Sequence, residues 1–140
     1  MLRQSSSSIA STAPRQGLYE ITAPVAQWVL EQDISSGLLT LFCRHTSASL
    51  VIQENAANAA GRDLESFMAR IAPENPSLYT HNDEGPDDMP AHLRAVLTAT
   101  QLSVPVEGGR MVLGTWQGIF LFEHRREPSR REIALHLIGE

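Results

Sequence analysis

The chain has 140 residues, of which 42% are hydrophobic and 19% charged, so it has the size and composition of one globular domain with a true core. Its formal net charge of −5 argues against a protein that grips nucleic acid along a basic face. The lone cysteine, Cys43, cannot form an internal disulfide. No apolar run approaches a membrane span, and the Ser-rich start lacks the apolar stretch of a signal peptide. A cytoplasmic protein with no nucleic-acid or membrane partner is the expectation.

Residues 1–16 read as an N-terminal arm or an edge strand, and 17–140 as one domain. Leu18 to Ile21 reads as a short strand. Thr22 is placed to cap a helix with Pro24 in its first turn, and Val25, Trp28 and Val29 form its apolar stripe, with Trp28 as a core anchor. From Leu38 to His45 the pattern alternates: Leu39, Leu41, Cys43 and His45 share one face, which puts a histidine at the end of an inward row. Ala48 to Gln53 is a second strand, joined by a tight connection or by a continuous bend.

Asn55 to Ile71 is expected to be a helix burying Ala60, Leu64, Phe67, Met68 and Ile71, and Pro73 and Pro76 end it. Tyr79 to Pro90 reads as a polar loop. Asp88 is placed to cap the next helix, whose expected buried face is Leu93, Val96, Leu97 and Thr100. Strands follow at Leu102 to Val106, Met111 to Leu113, Trp116 to Glu123 and Glu132 to Ile138, with a turn at Gly108-Gly109. The class is therefore α+β, a mainly antiparallel sheet with about three helices.

Candidate chemistry centres on histidine. His136 faces away from the apolar row of its strand, and His124 borders the arginine turn, so neither is singled out. His45 ends an inward row, His81 and Glu84 bracket the polar loop, and Asp88 and His92 are spaced i, i+4. Imidazoles beside a carboxylate suit zinc or a similar divalent ion, and Glu84 or Asp88 could instead orient a histidine. The spacing alone leaves a shared site and scattered histidines both open. Trp116 reads as core or as a stacking surface. Glu123 ends an apolar row and Arg131 is its candidate ion-pair partner. The other arginines, Arg125, Arg126 and Arg130, read as a solvated turn.

Several of these segments together resemble the YjbQ family. They are His45-Thr46-Ser47-Ala48 with Asn55 and Asp63, then His81-x-x-Glu84-Gly85-x-Asp87-Asp88-Met89-Pro90-Ala91-His92, and Gly114 to Ile119 with Glu123 and Arg130-Arg131. The resemblance runs from about Gly17 to Glu140. It implies a homotrimer with sheets packed around a threefold axis, and a metal site near the subunit boundary with His45, His81 and His92 as ligands. It further implies Glu84, Asp88, Glu123 and Arg131 as catalytic residues, and Trp116, Gln117, Thr46 and Ser47 as substrate-binding ones. The implied activity is a weak, secondary thiamine-phosphate synthase reaction, joining hydroxymethylpyrimidine diphosphate to thiazole phosphate with release of pyrophosphate. Zinc is the implied ion, with magnesium suited to the diphosphate chemistry. The competing expectation is a non-catalytic trimer that binds a metal or metabolite.

Overall fold

A computed structural model describes residues 1–140. Along the chain lie β1 (Arg3–Ala13), β2 (Gly17–Glu20), α1 (Thr22–Glu31), β3 (Ser36–Cys43), β4 (Ala48–Glu54) and α2 (Asn58–Ile71). They are followed by α3 (Asp88–Leu97), β5 (Gln101–Glu107), β6 (Arg110–Met111), β7 (Gln117–Glu123) and β8 (Ser129–Gly139). All strand pairs are antiparallel. One sheet has the order β1-β8-β3-β5-β6, the other β2-β7-β4. The architecture is α+β with three helices, as the patterning predicts. No helix is long and apolar enough to cross a membrane.

Period-two patterning decides how the sheets meet. Leu39, Leu41 and Cys43 of β3, Val104 and Val106 of β5, and Ile133, Leu135 and Leu137 of β8 all point the same way. They join Leu50, Ile119 and Leu121 of the smaller sheet, and Val25 and Val29 of α1, in one buried cluster. Each fully buried aliphatic side chain of this kind stabilises by roughly 1.5–3 kcal/mol relative to exposure. Cys43 is an inert member of the cluster, and burial pushes its thiol up. β3 and β4 belong to different sheets, so the link His45-Thr46-Ser47 carries the chain from one sheet to the other. At the far end of β3 the backbones of Gly37 and Gly139 approach so closely that a Cβ on Gly139 would lie 2.0 Å from the Ser36 carbonyl oxygen.

β1 is the outer strand of the larger sheet and pairs with β8 along its whole length. Arg3 reaches from it to donate to the carbonyls of Gln32 and Asp33, covering acceptors left open where α1 ends.

The helices depart from expectation in their details. Ile21, not Thr22, occupies the N-cap of α1, and Thr22 Oγ1 instead accepts from the Ile119 N–H. In α2 only Met68 is buried. Phe67 and Ile71 are about half exposed, because α2 sits over β2 across a polar cleft of about 540 Å³ lined by Glu54, Asn58, Arg62 and Glu65. In α3 the expected apolar face is turned outward, with Val96 81% and Leu97 60% exposed. Its buried residues are Asp88, Pro90, Ala91 and Arg94, and Asp87 takes the N-cap position expected of Asp88. Trp116 is 64% exposed, so it is no core residue. Trp28 is half-buried and packs against the edge of the core.

Candidate functional site

Gly85 has a φ of 99°, a backbone conformation that glycine adopts without strain. The turn it makes lets the chain fold back from His81 and Glu84 onto the first turn of α3. There, helical spacing puts Asp88 and His92 on one face. As a result His81, Glu84, Asp88 and His92 each offer one ligand atom, all within 4.8 Å of one another. His81 Nε2 lies 3.3 Å from Glu84 Oε2 and 3.2 Å from Asp88 Oδ2, and His92 Nε2 is also 3.2 Å from Asp88 Oδ2. Glu84 and Asp83 together raise the His81 imidazole above its ordinary value, the Glu84 hydrogen bond contributing most.

Hydrogen bonding sets the tautomer of His92. Its Nδ1 lies 3.0 Å from the Thr46 carbonyl oxygen, which can only accept, so Nδ1 carries a proton. In the neutral ring, Nε2 is then a bare lone pair aimed at a carboxylate. Asp88 Oδ2 is buried and has no hydrogen-bond partner, since neither imidazole meets it with hydrogen-bonding geometry despite the 3.2 Å separations. Two acceptors facing each other, one of them on a buried carboxylate, are satisfied by a cation between them, either a proton or a metal ion. Two imidazoles and two carboxylates form a donor set suited to zinc and similar divalent ions.

His45 is not brought to this cluster. Its Nε2 accepts from the Glu132 N–H at 2.8 Å, so the proton of the neutral ring is on Nδ1 and neither nitrogen has a lone pair to give a metal. Burial, then the Arg131 charge, lower its pKa and favour that neutral form. With His92, Phe42, Cys43, Arg44, Thr46 and Val96 it lines an opening of about 640 Å³.

Glu123 and Arg131 do pair, and the pairing changes what they can do. Arg131 Nε donates to Glu123 Oε1 at 2.7 Å and Nη2 to Oε2, while Nη2 also reaches Ser47 Oγ at 2.9 Å. Glu123 Oε2 further accepts from the N–H groups of His124 and Arg125. Glu123 is 1% and Arg131 6% exposed, so this is a closed internal network and presents neither group to a substrate; Ser47 is engaged within it. Thr46 contributes its carbonyl to His92. Trp116 and Gln117 stand at the other end of β7 from Glu123, ~20 Å along the strand, and the Gln117 amide oxygen accepts from the Gly114 N–H. The fold therefore does not bring them to the histidine cluster.

The residues that sequence reasoning misses are Asp87 and Arg125. Arg125 donates to Asp87 Oδ2 at 3.1 Å, to Asp88 Oδ1 at 2.6 Å and to the Glu84 carbonyl at 2.9 Å. Burial alone would raise the Asp87 pKa, but the Arg126 N–H and the Arg125 guanidinium outweigh it and hold the carboxyl below its usual range. The only signal in the sequence is the opposition of an acidic run, Glu84 to Asp88, and a basic pair, Arg125-Arg126.

These features can be set beside known proteins. Residues 7–140 match the family model described as UPF0047 protein YjbQ-like. UPF0047 protein sll1880 of Synechocystis sp. is 46% identical over 125 residues, covering 89% of this chain and 85% of that protein. UPF0047 protein YjbQ of Escherichia coli O157:H7 is 39% identical over 130 residues, covering 92% and 94%. The crystal structure of a YbjQ-like protein of unknown function from Sulfolobus solfataricus P2 superposes with a TM-score of 0.92 at 29% identity over all of both chains. That of a conserved hypothetical protein from Thermus thermophilus gives 0.82 at 32% identity, covering 92% and 97%. The match of nearly the whole chain to the family model, with relatives at this level of identity, means that the chain belongs to the UPF0047, YjbQ-like family.

Proposed function

We propose that the chain is a divalent-metal-dependent small-molecule enzyme whose ion, zinc in the first instance, is held by His81, Glu84, Asp88 and His92. The observation that carries this is the buried Asp88 Oδ2, without a hydrogen-bond partner, lying 3.2 Å from Nε2 of His92 and from Nε2 of His81. A bound ion would supply Lewis acidity toward a phosphate or diphosphate oxygen. The enzyme reading is favoured over a passive binder by Glu84. Its side chain is 62% exposed, so it is the ligand whose release would open a coordination position to substrate, which buried Asp88 could not do.

A small phosphorylated metabolite is the proposed substrate class. The reaction implied by the family resemblance, formation of thiamine phosphate with loss of pyrophosphate, is the first to assay. The proposed assembly is a homotrimer in the cytoplasm. Phe42 and Val96 support it, being exposed apolar groups lining the same opening as His45 and His92, which a second copy could cover.

The test is metal content by elemental analysis after zinc loading and removal of excess. Near-stoichiometric zinc is expected in the wild type and in His45→Ala, and strong loss in Asp88→Asn and His92→Ala. A metal-free wild type would overturn the metal reading. Loaded protein that forms no thiamine phosphate from the two phosphorylated precursors would overturn the synthase activity and leave the metal site standing.

A further inference from the structure

We propose that Arg125 is a positioning residue for this site, holding Asp88 so that only one carboxylate oxygen, Oδ2, is offered to His81 and His92. The proposal rests on the metal reading above and deepens it. Arg125 follows β7 by two residues, and its own backbone N–H donates to Glu123 Oε2 at 3.2 Å. Glu123 is gripped by Arg131, so the root of Arg125 is tied to the buried network rather than to a loose turn. From that root the guanidinium addresses three residues of one short segment: Nε donates to Asp87, Nη1 to Asp88 and Nη2 to the Glu84 carbonyl. These contacts span the turn at Gly85 and so fix the approach of Glu84 to α3.

The consequence for Asp88 is specific. Its side chain is 2% exposed and has no water to turn toward. With Oδ1 engaged at 2.6 Å by Arg125, the carboxylate cannot rotate without breaking a charge-assisted bond, and Oδ2 is left facing both imidazoles. A planar fork is needed to serve three acceptors in different directions; a lysine ammonium carries the same charge without that geometry.

The decisive variant is Arg125→Lys in the full chain, because it preserves charge and removes the fork. Zinc affinity is read by competition with a chelating dye, ligand geometry by the visible spectrum of the cobalt(II) form, and folding by circular dichroism and melting. Affinity about 10–100-fold below wild type, the usual range for partners that orient metal ligands, is expected with a changed cobalt spectrum and a retained fold. Wild-type affinity and spectrum would overturn the proposal. If Arg125→Lys does not fold, Asp87→Asn removes one prong of the clamp; weakened zinc binding supports the proposal and unchanged binding overturns it. If the wild type itself takes up no zinc, the metal reading fails, and the ¹⁵N signals of the His81 and His92 rings decide the positioning role alone. A changed pattern in Arg125→Lys upholds it, and an unchanged pattern sinks it.

Discussion

Protonation of His124 should be the clearest pH-dependent weakness of this fold. The side chain lies just beyond β7 and is 1% exposed, its ring 4.6 Å from that of Phe122. Nε2 is 2.9 Å from Ser49 Oγ, which lies beside Thr98 Oγ1, and Thr98 donates to the Arg94 carbonyl. Each hydroxyl has one proton, so the chain of donors runs from His124 through Ser49 and Thr98 to that carbonyl, and Nδ1 is left as a buried acceptor without a partner. Burial, and then the charges of Arg94 and Arg131, push the imidazole down to about 3. The folded-state value thus lies below the unfolded one, near 6.5, so the unfolded chain binds the extra proton between those limits. The contribution to stability is complete above the upper limit and is lost progressively as pH falls toward the lower one. The slope approaches ~1.4 kcal/mol per pH unit, and between about pH 7 and about pH 4.5 it integrates to roughly 2.5 kcal/mol. The assay is urea unfolding followed by tryptophan fluorescence across that range, for the wild type and for His124→Gln, which is uncharged throughout. The pH-dependent loss should be smaller in the variant by roughly 2 kcal/mol. His45, His81 and Asp87 titrate in both proteins and cancel in the difference. Identical pH dependence in the two would refute the reasoning.

Two further outcomes follow from packing. Glu123→Ala should cost about 3–5 kcal/mol in chemical denaturation, because it strands the Arg131 guanidinium in the core, and Arg131→Met added to it should recover part of that loss. Leu135→Ala, at a position 2% exposed in the middle of β8, should cost about 2–5 kcal/mol while leaving zinc affinity at the wild-type value.

The parts of the site that can be read from the sequence are those whose partners are near in the chain. Asp88 and His92 are four residues apart on one helix, and His81 and Glu84 lie just before them, so local geometry suffices to bring them together. His45 escapes such a reading because the group claiming its Nε2 is a backbone N–H 87 residues away, supplied by β8. Arg125 reads as a solvated turn residue because its carboxylate partners, 37 and 38 residues distant, do not show in a linear pattern. The strands follow from alternation, since burial there tracks apolarity. The face of α3 does not, because Asp88 finds Arg125 and Arg94 finds the Ala72 carbonyl, which lets polar side chains go inward while Val96 and Leu97 stay out.

The strand order has a bearing on how the polypeptide acquires its fold. β7 is the middle strand of one sheet and β8 lies between β1 and β3 in the other, yet these are the last two elements in the chain. During synthesis, β2 and β4 must therefore wait for β7, and β1 and one edge of β3 for β8, with those edges unpaired. Local helices and the β5–β6 hairpin can form early, but neither sheet can close. Pairings such as Arg3 with Gly139 join distant parts of the chain, which places the rate-limiting step late and makes folding slow relative to a helical protein of this length. A growing chain that stalled before Gln117 would expose the strand edges that the complete fold conceals, the species most prone to association with its neighbours on the same message.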